Sequence, residues 1–215
     1  MDVLIVGAGG HGRVVLEVLQ ASRQHRVVGF LDADESLTGQ TVLGVPVLGH
    51  PQRLLRLRGK ARGAVVAVGD NRARVSYAHH LASSGLELVS AVHPSAVVSP
   101  SATLGRNVVV CAGAVVGTEA RLDDSVLVNT GALVDHECEV GEGAHIAPGA
   151  ALAGRVRVGP GAFVGLGARV IQCLSVGAHA VVGAGAVVIR DVPPDATVVG
   201  VPARPIRLAA SGPDR

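Results

Sequence analysis

The chain has 215 residues, a formal net charge of +2 and only three aromatic side chains, Phe30, Tyr77 and Phe163, so any sizeable core must be aliphatic. So even a balance offers no polybasic surface to nucleic acid or an anionic membrane, and no run reaches the roughly 18 apolar residues of a membrane span. The odd number of cysteines (Cys111, Cys138, Cys173), without metal spacing, fits reduced thiols; no basic segment precedes Val3–Val6 as in a signal peptide, and the expected location is cytoplasmic.

Residues 2–6 predict a short buried strand that runs into Gly7-Ala-Gly-Gly-His-Gly12. Arg13–Ala21 then has helical spacing through Val14, Val15, Val18 and Leu19, and Arg26–Leu31 predicts a second strand closing on Asp32. Strand, glycine-rich turn, helix, strand and acid make a Rossmann-like opening. A third strand is predicted at Ala64–Val68, running into Gly69-Asp70-Asn71. A helix over Arg72–Ser83 and a fourth strand over Leu86–Val89 follow. A complete dinucleotide fold needs two mononucleotide halves and about six strands. Four strands leave room for one half, which can hold one nucleotide or a phosphate group at a helix N-terminus. NAD is therefore not the expected ligand. Taken alone, the glycines also fit plain strand-to-helix packing.

From Val92 onward the period changes to six. Every sixth residue as far as Val188 is Val, Leu or Ile, and the residue four places beyond each is apolar and mostly small, as at Ala96, Ala102 and Ala114. Neither a helix nor a plain strand has that period, whereas a parallel β-helix does. Three hexads would close one triangular coil with the aliphatic residue inside. Coils about 4.8 Å apart make a prism on the order of 27 Å long. The unbroken register leaves no long loop. The expected organisation is an α/β Rossmann-like domain over 1–91, a β-helix over 92–193 and a C-terminal segment over 194–215.

The Gly-Ala-Gly-Gly-His-Gly turn is followed by hexads holding Val134-Asp-His-Glu-Cys-Glu-Val-Gly141 and Gly143-Ala-His-Ile-Ala-Pro-Gly149, and the chain closes on Gly200-Val-Pro-Ala-Arg204. In these features it resembles the hexapeptide-repeat sugar O- and N-acyltransferases, above all the N-acetyltransferases for nucleotide-linked amino sugars of the bacillosamine type. The resemblance implies a left-handed coil, against the general preference for right-handed crossovers. It also implies acetyl-CoA as acyl donor, a nucleotide-linked amino sugar as acceptor, and a homotrimer with active sites between neighbouring prisms.

By the same resemblance His136 is the general base and Glu137 the carboxylate that raises its basicity. His145 and Arg204, the arginine of the terminal motif, contact acetyl-CoA, and Gly9, Gly10, His11, Asp32 and Gly69 hold the sugar nucleotide. His136 falls at the third place of its hexad and is expected on a prism flat, where a bend would be needed for Glu137 to reach it. His145 lies half a coil away, too far for one subunit to unite the two. Gly154, eighteen residues past His136, is a candidate oxyanion donor, and Leu166 and Ala184 share a column along which a pantetheine arm could run. Metal catalysis is not expected, since His136, His145 and His179 offer no H-x4-H pair. Asp70 and Ala33 depart from the bacillosamine pattern and leave base and sugar open. The rival readings are O-acetylation of a sugar and a non-catalytic nucleotide-binding scaffold.

Overall fold

The structure, a computed structural model, describes residues 1–52 and 59–207. Its amino-terminal unit is built on β1 (Asp2–Val6), α1 (Gly10–Ser22), β2 (Arg26–Leu31), β3 (Thr41–Val42), β4 (Val45–Gly49), β5 (Gly63–Val66), α2 (Asn71–Ser83) and β6 (Glu87–Leu88). The sheet order is β3-β4-β2-β1-β5-β6, parallel throughout except for the β3–β4 hairpin. Alternate residues of β1 serve opposite faces. Val3 and Ile5 pack with Val15, Leu16 and Leu19 of α1, while Leu4 and Val6 pack with Ala78 and Leu81 of α2. Both faces are covered, which is why β1 reads as an unbroken apolar run.

The expectation of four strands is corrected to six. The hairpin escaped because its turn residues, Leu43 (φ 48°) and Gly44 (φ 80°), are not the Asn-Gly pair that usually marks a two-residue turn. Strand count therefore does not argue against a dinucleotide fold. Among the described residues two α-helices, α1 and α2, accompany the sheet.

Beyond β6 a two-residue strand occurs every six residues, from Ala91–Val92 to Val187–Val188, and the second residue of each is the inward aliphatic. Strands eighteen residues apart pair in parallel, as in Val109↔Leu127↔His145↔Phe163, and build three sheets. Together they form a left-handed parallel β-helix. The first face carries the strands at 109, 127 and 145, the second those at 115, 133 and 151, and the third those at 121, 139 and 157. The first face continues past the hexads through Thr197–Val199 and closes on an antiparallel strand, Arg204–Arg207. The last eight residues of the expected C-terminal segment lie outside the described residues.

Two features of the coil follow from its tightness. One residue per corner is left-handed, from Asn107 (φ 57°) through Gly113, Glu119, Ser125, Gly131 and Glu137 (φ 56°) to Gly185 (φ 65°). Only some are glycine; elsewhere the ladder above and below imposes the conformation on an ordinary side chain. The glycines that follow the inward aliphatic have a different reason. A Cβ at Gly159 would lie 2.5 Å from the Ala178 nitrogen in the next coil.

The three faces are treated differently. On the first, Ala91, Val109 and Leu127 point outward yet are buried, because α1 covers them. On the third, Arg121, Glu139 and Arg157 line up in register, with Arg157 Nε 3.4 Å from Glu139 Oε2. The second presents Val97, Val115, Leu133, Ala151 and Val187, with Arg169 as the charged exception among its outward strand positions. Val97 is 64% exposed and Leu133 37%.

Candidate active site

A cleft of about 410 Å³ opens at the carboxyl ends of β1 and β5, between the turns that follow them. Gly9, Gly10, His11, Asp32 and Gly69, the five residues expected to hold the acceptor, all line it, together with Pro51, Ala73 and Tyr77, which sequence reading did not single out. The glycines divide by purpose. At Gly12 a Cβ would collide with the Gly7 carbonyl, and at Gly7 (φ 104°) it would lie 2.6 Å from the Ala67 oxygen, so Gly12 serves helix-to-turn packing and Gly7 the close approach of the turns after β1 and β5. At Gly9 and Gly10 a Cβ would meet nothing within 4 Å. A side chain at either would project into open space at the cleft. No side chain caps α1, so its first N–H groups are left uncapped beside the cleft, whereas α2 is capped by Asp70 Oδ1 on the Ala73 amide at 2.8 Å. Asp32 is already engaged, accepting from the Ala8 amide (2.7 Å) and the Asp34 amide (2.8 Å). It shapes the turn as well as lining the cleft.

His136 and Glu137 are not on a flat. They form the corner between the second and third faces. With Glu137 left-handed, two neighbours that would diverge on a strand converge, and His136 Nδ1 lies 2.9 Å from Glu137 Oε2. A carboxylate only accepts, so the proton sits on Nδ1 and Nε2 keeps its lone pair. Arg155, one coil above, places its Nε 3.3 Å from the same Glu137 oxygen. The imidazole lies against Gly154, where any Cβ would strike its Nε2 edge. Among the described residues the Gly154 amide has no acceptor. The Nε2 edge of the imidazole and the backbone of Gly154 thus stand side by side. Cys138 is interior, its Sγ 3.2 Å from the Ala153 oxygen, and burial raises its thiol pKa, which disfavours an acyl-thiol route.

His145 sits on the first face, away from His136, so one chain does not unite them. Its ring packs edge-on against Phe163 with centroids 5.1 Å apart. Asn129 Nδ2 donates to Nε2 at 3.1 Å, the amide being oriented by Thr130 N donating to Asn129 Oδ1 at 2.8 Å. Nδ1 then carries the proton, buried and without a partner among the described residues. Burial, then the Arg74 charge and His11, pull the His145 pKa to about 3; burial and Arg74 pull His11 to about 4. Both imidazoles are neutral at neutral pH, and His145 can act as a donor.

Leu166 and Ala184 are exposed beside the corner between the first and second faces. The left-handed residues of that edge are Gly113, Gly131, Gly149, Gly167 and Gly185, so its left-handed positions carry no side chain. Arg204 is exposed, its Nη1 donating to the Ala203 carbonyl at 2.9 Å, and lies on the strand that caps the first face. Sequence reading missed Arg74, although a signal existed: with Ala78 and Leu81 it occupies the inward face of α2, where an apolar residue is the norm. Among the described residues no group of three or more His, Cys, Asp or Glu side chains is placed to hold a metal, and no helix is long and apolar enough to cross a membrane.

The PglD N-terminal domain family matches residues 2–81. UDP-N-acetylbacillosamine N-acetyltransferase of Bacillus subtilis (strain 168) is 38% identical over 113 residues, 52% of this chain and 51% of that protein, so the match spans about half of that curated relative. PerB of Caulobacter crescentus, solved with CoA and GDP-perosamine, is 45% identical with a TM-score of 0.91 and covers 95% of this chain and 97% of its own. The acetyltransferase domain of PglB from Neisseria gonorrhoeae FA1090, solved with acetyl coenzyme A, is 40% identical with a TM-score of 0.90 and covers 95% and 98%.

Proposed function

The chain belongs to the family of PglD-type nucleotide-sugar N-acetyltransferases, and from that premise we propose that it transfers the acetyl group of acetyl-CoA to the amino group of a nucleotide-linked amino sugar. The observation that carries the chemistry is the corner at His136. Nε2, left basic by the Nδ1 bond to Glu137, takes the proton as the amine attacks the thioester carbonyl. The Gly154 amide, which has no acceptor among the described residues, is assigned to the oxygen that becomes negative. CoA thiolate then leaves and recovers the proton from His136.

The acceptor's diphosphate is assigned to the open N-terminus of α1 and its sugar to the cleft beside His11. His145, Leu166, Ala184 and Arg204 are assigned to acetyl-CoA. They belong to the first face, its far edge and its cap, whereas His136 lies across the bare second face. A cyclic trimer resting on the second face would bring the His136 edge of one copy to the glycine edge of the next. Cyclic symmetry needs such a face, apolar and unpartnered in one chain.

The decisive assay offers acetyl-CoA with UDP-, dTDP- and GDP-linked amino sugars and reads thiol release and product mass. Acetylation of an amine supports the reading. Turnover of a sugar hydroxyl alone, or none, defeats it. Within this frame Gly10→Val is expected to raise the acceptor KM by at least about tenfold, the equivalent of ~1.4 kcal/mol of binding, with the acetyl-CoA KM nearly unchanged. Nothing in the chain itself resists a side chain there, so an unaltered acceptor KM would remove the sugar nucleotide from this cleft.

A further inference from the structure

Helix α2 runs along the prism edge whose left-handed corners are Asn107, Ser125, Gly143, Gly161 and His179. At the crossing it turns a charge inward. Arg74 is fully buried, and among the described residues no carboxylate pairs with it. Its five N–H donors each find a neutral oxygen instead. Nε donates to the Ser125 carbonyl (2.9 Å), Nη1 to those of Val68 (3.0 Å) and Gly69 (3.3 Å), and Nη2 to Asn71 Oδ1 (2.8 Å) and the Gly143 carbonyl (2.8 Å). Burial draws its pKa down to about 10, which leaves it charged at neutral pH.

A buried cation whose donors all meet neutral oxygens, favoured only by the nearby charge of Asp70, is a poor way to gain stability, and apolar packing already joins the two units where α1 lies on the first face. The network offers direction, which apolar packing lacks. One end holds Val68 and Gly69, a wall of the nucleotide cleft; the other holds successive prism corners, the second of them two residues before His145. Asn107, also buried, runs alongside, accepting from the Val66 amide (2.7 Å) and donating to Ser125 Oγ (2.9 Å). Asn71 Nδ2 reaches the Gly161 carbonyl at 3.0 Å.

We propose that Arg74 is a positioning residue for acyl transfer, holding the Val68–Gly69 wall of the acceptor cleft in register with the prism rung that carries His145. The proposal rests on the N-acetyltransferase reading above. Lysine keeps the charge but has three donors and no planar fork, so it cannot span both sides. Methionine keeps only the volume.

The test uses the full-length chain with Arg74→Lys and Arg74→Met. Calorimetry gives the Kd for GDP or UDP and, separately, for acetyl-CoA; the preferred amino sugar gives kcat. Both variants are expected to lose about 10²-fold in kcat, the cost of a misplacement on the order of 1 Å, while both Kd values stay within about threefold. A folded Arg74→Met with the parent kcat overturns the proposal. So does a nucleotide affinity that falls as far as the rate, because Arg74 would then serve only the shape of the cleft. Should Arg74→Met fail to fold, Asn71→Ala decides: it removes one acceptor of the guanidinium and the tie to Gly161, and an unchanged kcat there is equally fatal. A parent protein that acetylates no amino sugar overturns the functional reading, and this proposal with it.

Discussion

His136→Ala is expected to lower kcat by about 10²–10⁴-fold while leaving the Kd for acetyl-CoA within about threefold of the parent value. The loss is large because the neighbouring carboxylates are engaged, Asp135 Oδ1 accepting from the His136 amide at 2.7 Å. Glu137 shares one oxygen between His136 Nδ1 and Arg155 Nε, which suits it to orienting the ring and not to taking a proton. Cofactor affinity should survive because the residues assigned to acetyl-CoA belong to other parts of the prism. The side chain is exposed and rests on Gly154, so its removal leaves no interior cavity. Unfolding temperature and kcat should therefore separate cleanly in one preparation. A variant within a few-fold of the parent in kcat removes His136 from the chemistry.

Leu133→Asp is expected to leave each chain folded and to abolish assembly, with activity falling at least about 10²-fold as the two half-sites part. Leu133 points outward from the middle of the second face, and its neighbour Val134 alone faces the core. A carboxylate there is solvated in a single chain. Between subunits it would be an unpaired buried charge, which costs several kcal/mol. Sedimentation and turnover at one protein concentration check both halves of the expectation. A monomer with full activity would show that one prism suffices.

The hexad made the β-helix and its inward residues legible, since a period of six has few structural solutions and the core tolerates only aliphatics there. The grouping of Gly9, Gly10, His11, Asp32 and Gly69 around one cleft was legible for a related reason: in a βαβ start, the residues at the strand ends must converge. The His136 corner was not. Periodicity says which residue faces inward but not which turn residue becomes left-handed, and at Glu137 no glycine marks the place. Placing His136 on a flat made its contact with Glu137 look strained, whereas the turn supplies that contact directly. Arg74 was hidden differently. Its partners lie 51 and 69 residues away in sequence, and an arginine on a helix is ordinarily read as solvated.

The rungs of the prism also act as a ruler. α2 grips the edge at Ser125, Gly143 and Gly161, and His136 stands at another edge of the same prism. Height along the axis is then available only in whole coils of eighteen residues, about 4.8 Å each. A single inserted residue in a hexad would turn every later aliphatic outward, so drift in small steps is closed to this part of the chain. Relatives that handle longer or shorter acceptors must change at the cleft's loops or add a full coil beyond the grip. Reach is a digital quantity in this architecture, and fine adjustment belongs to the domain clamped on its side.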